Sequence, residues 1–340
     1  MAETKVKKVF RLGFRKDLCK RCGICVKICP REVFDQEKIG YPIISRVDAC
    51  NGCGLCEQHC PDFALWVQDE NGVPEEHPAW SALRMWHMPS AWCAGCGIGT
   101  VLYAVAKTIQ DLNIDKDKVV MVSGIGCSSR MPGYLDANTL HTTHGRSLSF
   151  AVGVKLANPE LRVFAVMGDG DAAAIGGNHL IHAARRNIDM TAIVINNYNY
   201  GMTGGQGSPT TPLGAKTTTT PYGAIEPAFD LCELVKGAGA NYVARTTVFH
   251  FPLLVRMIKE ATETPGFGFV DVLSNCPTYY GRFNLSSDPY ETLEALKGQV
   301  FKLGGEAKEG ALPMGVIHKG SNPTIDELMK ELIESWKGSR

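Results

Sequence analysis

The sequence predicts an α/β protein: a doubly wound domain built on a parallel sheet, preceded by a small, cysteine-rich α+β domain. Three observations carry this reading. From Ala91 onward, short β-branched apolar runs alternate with amphipathic helical stretches, the pattern of a parallel sheet with both faces covered. Before residue 69 the chain instead repeats a compact cysteine run. Between them, "VQDENGVPEEHPAWSALRMWHMPS" is polar and proline-bearing with no period, as a connecting segment is. The domains expected are 1–68, a linker over 69–90, the α/β domain over 91–290, and a tail over 291–340 ending in a helix.

Bulk composition narrows the function classes. Lys plus Arg and Asp plus Glu are balanced at 35 each, so no basic field points to nucleic acid. The longest apolar runs, such as "MTAIVI", fall short of the roughly 18 residues of a membrane span, and "MAETKVKKVF" lacks the apolar core of a signal peptide. The expected location is the cytoplasm. Thirteen cysteines are many for a reducing compartment where disulfides are rare, so metal ligation is the leading explanation.

In the first domain, "CKRCGICVKICP" (Cys19, Cys22, Cys25, Cys29) recurs as "CNGCGLCEQHCP" (Cys50, Cys53, Cys56, Cys60), displaced by 31 positions. The C-x2-C-x2-C-x3-C-P run is that of bacterial two-cluster ferredoxins, in which the fourth cysteine of each block ligates the other block's [4Fe-4S] cluster. Cys19, Cys22, Cys25 and Cys60 are therefore expected to hold one cluster, and Cys50, Cys53, Cys56 and Cys29 the other. Zinc ribbons use two separated ligand pairs rather than four crowded cysteines. The intervening "VFDQEKIGYPIISRVDA" reads as a hairpin or connector. In the linker, Trp80, Met85 and Trp86 need apolar partners and predict a segment wrapped onto the next domain. "AWCAGCGIGT" leaves Cys93 and Cys96 open to three readings: a redox pair, half a metal site, or an accident of composition.

In the α/β domain, strands are expected at "KVVMVS", "RVFAVMGDG", "MTAIVINN", "NYVART" and "GFVDVLS". Ligands of such sheets sit beyond the strands' carboxyl ends. There, Gly168-Asp169-Gly170, then 26 residues, then Asn197, resembles the thiamine diphosphate signature. A Mg2+ ion needs oxygen ligands, which Asp169, the Asn197 amide and the Asn199 carbonyl supply beside a diphosphate. Gly170 is expected to let the backbone approach the phosphates.

An iron-sulfur chain beside a thiamine signature resembles the 2-oxoacid:ferredoxin oxidoreductases, specifically their thiamine-binding β subunit of the 2-oxoglutarate type, with a ferredoxin-like domain fused in front. "WCAGCG", "GIGCSSR", "HTTHGR", "GDGDAAAIGGNHLIHAARRN" and "NNYNYGMTGGQGSPTTP" carry the resemblance. It implies a third [4Fe-4S] cluster held by Cys93, Cys96, Cys127 and Cys276, leaving Cys232 as a core thiol. It implies a cofactor site formed by Ile125, Gly126, Cys127, Ser128, His144, Gly145, Gly168, Asp169, Gly170, Asp171, Asn197, Tyr200, Gly201, Met202 and Thr203. His144 and Cys127 are the residues expected closest to the chemistry; His141, Arg130 and Arg282 are weaker candidates, and His179 and His182 read as structural.

The implied activity is coenzyme A-dependent oxidative decarboxylation of a 2-oxoacid to acyl-CoA and CO2. Electrons leave singly through three clusters to an external ferredoxin, or run in reverse as reductive carboxylation. The family's pyrimidine-binding domain is missing here, so the resemblance implies a separate α subunit, in a heterodimer or a dimer of heterodimers. Broad-specificity relatives tend to carry Lys where Gly204 stands, which favours 2-oxoglutarate over pyruvate or branched-chain 2-oxoacids. An electron-transfer subunit without its own thiamine chemistry is the rival reading. "PTIDELMKELIESWKGSR" predicts an amphipathic helix capped by Thr324.

Overall fold

The computed structural model describes residues 10–69 and 76–338. Residues 1–9, 70–75 and 339–340 fall in the expected ferredoxin-like domain, linker and tail and lie outside the described residues.

In the first part, strand β1 (Phe10–Phe14) pairs antiparallel with β4 (Leu65–Asp69), closing the segment on itself. Between them come helix α1 (Ile24–Ile28), the antiparallel pair β2 (Phe34–Gln36) and β3 (Pro42–Ile44), and α2 (Leu55–Gln58). The repeat of the sequence is a repeat of structure. Gly23 (φ 76°) and Gly54 (φ 72°) each precede their short helix in the left-handed region, where a side chain would be strained. That turn places the third cysteine of each run, Cys25 or Cys56, on the helix.

The second part opens with α3 (Ile98–Asp111) and alternates β5 (Val119–Ser123), β6 (Asn138–His141), α4 (Ser147–Ala157), β7 (Arg162–Gly168), α5 (Gly177–Arg185) and β8 (Met190–Asn196). A two-residue hairpin, β9 (Asn199–Tyr200) with β10 (Gln206–Gly207), leads to α6 (Leu231–Ala238), β11 (Tyr242–Thr247), α7 (Phe251–Glu263), β12 (Phe267–Leu273), α8 (Arg282–Asn284), α9 (Pro289–Ala295), β13 (Val300–Lys302), β14 (Leu312–Lys319) and α10 (Ile325–Gly338). The eight-stranded sheet runs β13-β14-β11-β12-β8-β7-β5-β6. From β11 to β6 every pairing is parallel, while β14 runs antiparallel to β11. β5, β8 and β12 are buried at every residue, so their sequences run apolar without alternation.

Three strands depart from the sequence reading. β6 ("NTLH") lies at the sheet edge and is mostly exposed, so it carries no apolar run. β13 and β14 extend the sheet with part of the segment expected to be a tail; β14 is half-buried and interrupted by Pro313 and Gly315, which hid its pattern. α10 has the expected capping box: Glu327 N donates to Thr324 Oγ1 (3.2 Å) and Thr324 N to Glu327 Oε2 (2.7 Å).

The cysteine-rich part is packed into the α/β domain. Leu18, Ile24, Phe63 and Trp66 belong to the same buried apolar cluster as Ile98, Val101 and Leu102. A Cβ on Gly99 would lie 1.9 Å from the Pro61 carbonyl oxygen, so the first turn of α3 rests directly on the end of the second cysteine run. Tyr103 Oη donates to Glu57 Oε1 (2.8 Å). Of the linker tryptophans, Trp80 is buried, edge-on to Trp66 at 5.0 Å, and its indole N–H donates to the Phe63 carbonyl. Trp86 is 71% exposed and finds no apolar cover within this chain's described residues. Among the described residues, no helix is long and apolar enough to cross a membrane.

Candidate active site

The loops after β5, β6, β7 and β8 all leave the same edge of the sheet, where the order of strands reverses around β5 and β7, the position where open α/β sheets bind ligands. They enclose a cavity lined by Ile125, Gly126, Cys127, Ser128, His144, Gly168, Asp169, Gly170, Asp171, Ile195, Asn197, Asn199, Tyr200, Gly201, Met202 and Thr203. Every residue that the sequence placed at a cofactor is in that lining except Gly145. Its N–H instead donates to Asp171 Oδ1 (2.6 Å). Ile195, at the end of β8, is an addition that its place in a continuous apolar run concealed.

Asp169 is 1% exposed, and burial pushes its carboxyl up to about 6 despite hydrogen bonds that pull it down. Ser208 Oγ and Thr210 Oγ1 donate to its Oδ2 at 2.5 and 2.7 Å. On its other side the Asn197 amide oxygen faces only acceptors, Asp169 Oδ1 at 3.2 Å and the Asn199 carbonyl at 2.8 Å; turning the amide over would make both contacts hydrogen bonds. Three oxygens converging without a proton suit a cation, since neighbouring ligands of an octahedral ion with bonds of 2.0–2.1 Å stand about 3 Å apart. Ser208 and Thr210 were not singled out by sequence; the hydroxyl-rich "GSPTT" was their signal.

Asp171 sits beside this group but faces the other way. Its Oδ1 accepts from Ile125 N (3.3 Å), Gly145 N and His144 Nδ1 (2.5 Å). The carboxylate thus ties the loop after β5 to the loop after β6 and fixes the His144 ring through its Nδ1, with the ring edge meeting Tyr200 at a centroid distance of 6.2 Å. Gly170 is also required within the chain itself: a Cβ there would lie 2.2 Å from Tyr200 Cε1, so the glycine admits the tyrosine ring. His141, Arg130 and Arg282 are exposed and outside the cavity lining.

Against one wall stand four thiols from distant parts of the chain. Cys93 and Cys96 precede α3, Cys127 follows β5, and Cys276 follows β12. They are close enough that ionising Cys96 is opposed first by burial and then by Cys276, Cys127 and Cys93. Burial and the nearby Cys276 and Cys93 push Cys127 up to about 11. A Cβ on Gly201 would lie 3.4 Å from Cys127 Sγ, so this set touches the cavity. Such a cluster of mutually opposed thiols suits a polynuclear cation that holds them as thiolates. Cys232 is elsewhere, 1% exposed in an apolar cluster.

The other eight cysteines gather in two groups. Cys19, Cys22, Cys25 and Cys60 surround one pocket, and Cys29, Cys50, Cys53 and Cys56 surround another. This is the crossed grouping in which each run lends its fourth cysteine to the other. Sulfurs of the first group already accept backbone N–H groups: Cys19 Sγ from Arg21 (3.4 Å) and Cys60 Sγ from Ala64 (3.3 Å), contacts that suit cluster thiolates.

Residues 124–272 match the family model described as thiamine pyrophosphate enzyme, C-terminal TPP binding domain, and residues 18–65 match a 4Fe-4S dicluster domain. Over 268 residues the chain is 50% identical to 2-oxoglutarate synthase subunit KorB of Methanocaldococcus jannaschii, covering 77% of this chain and 99% of the relative. The KorB subunit of Archaeoglobus fulgidus is 56% identical over 58% of this chain and 73% of its own length. A solved structure of 2-oxoglutarate:ferredoxin oxidoreductase from Magnetococcus marinus, with 2-oxoglutarate, coenzyme A and succinyl-CoA bound, superposes with a TM-score of 0.69 at 34% identity, over 77% of this chain and 92% of that one. With its thiamine-type cavity and iron-sulfur segment, the chain belongs to the family of 2-oxoacid:ferredoxin oxidoreductase β subunits of the KorB type.

Proposed function

We propose that this chain is the thiamine-binding subunit of a 2-oxoglutarate:ferredoxin oxidoreductase. The complex converts 2-oxoglutarate and coenzyme A to succinyl-CoA and CO2, passing two electrons to ferredoxin. The observation that carries this is the place of Cys127, which lines the Asp169 cavity and belongs to the four-thiol set with Cys93, Cys96 and Cys276. A carbon-bond-breaking site and an electron acceptor thereby share a residue. A non-oxidative thiamine enzyme has no use for that adjacency.

Asp169, the Asn197 amide oxygen and the Asn199 carbonyl would hold Mg2+, and Ser208 and Thr210 orient Asp169 for it. When bound, thiamine diphosphate supplies the electron sink that lets a 2-oxoacid lose CO2. Asp171 holds His144 so that its Nε2 is the ring nitrogen left to accept or return a proton in the cavity. The three cysteine sets would hold [4Fe-4S] clusters that accept single electrons. Met202 and Ile125 stand at the cavity rim, both more than 40% exposed, and an α subunit carrying the pyrimidine-binding domain would cover them.

Coexpression with the α subunit tests this. The complex should contain one thiamine diphosphate and about twelve iron atoms per chain, as three [4Fe-4S] clusters require, and should form succinyl-CoA faster than it forms acetyl-CoA from pyruvate. Equal rates would defeat the 2-oxoglutarate assignment, and absence of thiamine would leave an electron-transfer subunit.

A further inference from the structure

Helix α10 is held firmly at its base and stands clear of the rest of the chain. Asn187 Nδ2 and Asn241 Nδ2 donate to the Asn322 carbonyl (2.7 and 2.9 Å), and Asn322 N donates to Asn241 Oδ1 (2.9 Å). Thr324 is buried, and Ile325 packs against the apolar cluster of Leu180 and Leu231, so the direction in which the helix leaves is fixed. From Glu327 to Lys337 every residue is exposed. Leu328, Met329, Leu332, Ile333 and Trp336 fall on one face at helical spacing, each 45–73% exposed. A helix of 14 residues is marginal in water unless its apolar face is packed.

The charges around that face identify its cover. Asp326, Glu327, Glu331 and Glu334 outnumber Lys330 and Lys337, which disfavours a membrane surface, because helices that lie on lipid carry basic polar faces. Asp326 and Lys337 are about three helical turns apart and therefore share one flank of the apolar stripe. Among the described residues neither has an ion-pair partner. When two copies of such a helix pack antiparallel about a two-fold axis, like flanks face each other. Leu332 then lies near the axis against its own counterpart, Leu328 meets Trp336, and Asp326 of each copy meets Lys337 of the other. The two helix dipoles are also opposed. A parallel pair would instead bring Asp326 towards Glu331 of the other copy, a like-charge contact.

We propose that α10 is the docking surface for a second copy of this chain, and that an antiparallel pair of α10 helices joins two subunit pairs into a dimer of heterodimers. Each copy would cover on the order of 500 Å2 of the other and the pair on the order of 1,000 Å2, the lower end of specific interfaces. The same patch serves on both partners, as a two-fold contact requires. None of its residues lines the Asp169 cavity, so the contact goes beyond the function proposed above and does not depend on what that cavity binds.

The test is the mass of the complete complex with its α subunit, measured by equilibrium sedimentation. Wild type should contain two copies of each chain; one copy of each would overturn the proposal. Leu332→Glu, which sets two carboxylates together at the axis, should give one copy of each with iron content and succinyl-CoA formation per chain unchanged. A wild-type mass for that variant would overturn the proposal. Asp326→Lys should weaken the association about tenfold, because two exposed ion pairs are reversed at once, and an unchanged association would overturn the antiparallel register. Adding Lys337→Asp to Asp326→Lys should restore the association, since the charges of each pair are exchanged. Failure to restore it, or loss of the α subunit from Leu332→Glu, would make that subunit the cover of the helix and overturn the self-pairing. Wild-type complex without thiamine or iron would refute the proposed function instead, and the masses would still decide the contact.

Discussion

The molecule gathers cysteines in two ways, and the contrast separates local from global determination. In the N-terminal part, three members of each set lie within seven consecutive residues, and a left-handed glycine before each short helix brings them round. Only the fourth comes from the sister run. The set beside the cavity draws on Cys93, Cys96, Cys127 and Cys276, positioned by the start of α3 and the ends of β5 and β12. One geometry is written in a motif. The other exists only once the sheet has formed.

The sharpest way to break that comparison is at the cavity itself. Asp169→Ala should abolish retention of Mg2+ and thiamine diphosphate and reduce turnover by more than the roughly 10–100-fold typical of losing an outer contact of a metal site, leaving iron content unchanged. The same carboxylate gives a pH signature. Its pKa in the folded chain is raised by burial to about 6, so its contribution to stability is present at low pH and lost as pH rises through about 6. In the cation-free protein the difference in denaturation midpoint between wild type and Asp169→Asn should therefore move against wild type between about pH 4 and about pH 6.5 and level off above, and Mg2+ should reverse it. A flat difference would contradict the burial argument.

The next largest effect concerns the deep thiols. Cys276→Ala should remove about four irons per chain, keep thiamine, and stop ferredoxin reduction; loss of eight irons would show that the deep and N-terminal sets are not independent. The scaffold that positions Cys276 can be loosened without touching a cysteine. Arg245 on β11 is 1% exposed and paired with Asp271 on β12 (2.8 Å) and Asp230 at the start of α6 (2.5 Å). Arg245→Met strands Asp271 as a buried charge and should cost about 3–5 kcal/mol of stability by denaturant titration. The deep set should become easier to strip of iron before the N-terminal sets do. The smallest effect is expected at the junction: Tyr103→Phe removes the hydrogen bond to Glu57 and should cost about 0.5–1.5 kcal/mol, with cluster content intact.

Much of this was legible in sequence because it is local. The repeated cysteine run, the strands of the sheet centre and Gly168-Asp169-Gly170 announce themselves, and all but one of the residues expected at the cofactor line a single cavity. What escaped was less local. β6 and β14 lie at or near the sheet edge, where burial is incomplete and no apolar run is required. Ser208 and Thr210 act on Asp169 across about forty positions of chain. A further demand for glycine at Gly170 comes from the Tyr200 ring, thirty residues away.

By itself the sequence determined the residue inventory: which cysteines share a run, where strands end in oxygen-bearing residues, and which family those pieces resemble. Covalent spacing and left-handed glycines suffice for that. Only the tertiary structure decided that Cys127 serves both the cavity and the thiol set, that Asp171 holds His144, and that Gly95 lies against Cys22. Those are contacts between loops on different strands or different domains. Their geometry comes from sheet order and from a shared apolar core, which no single stretch of sequence contains.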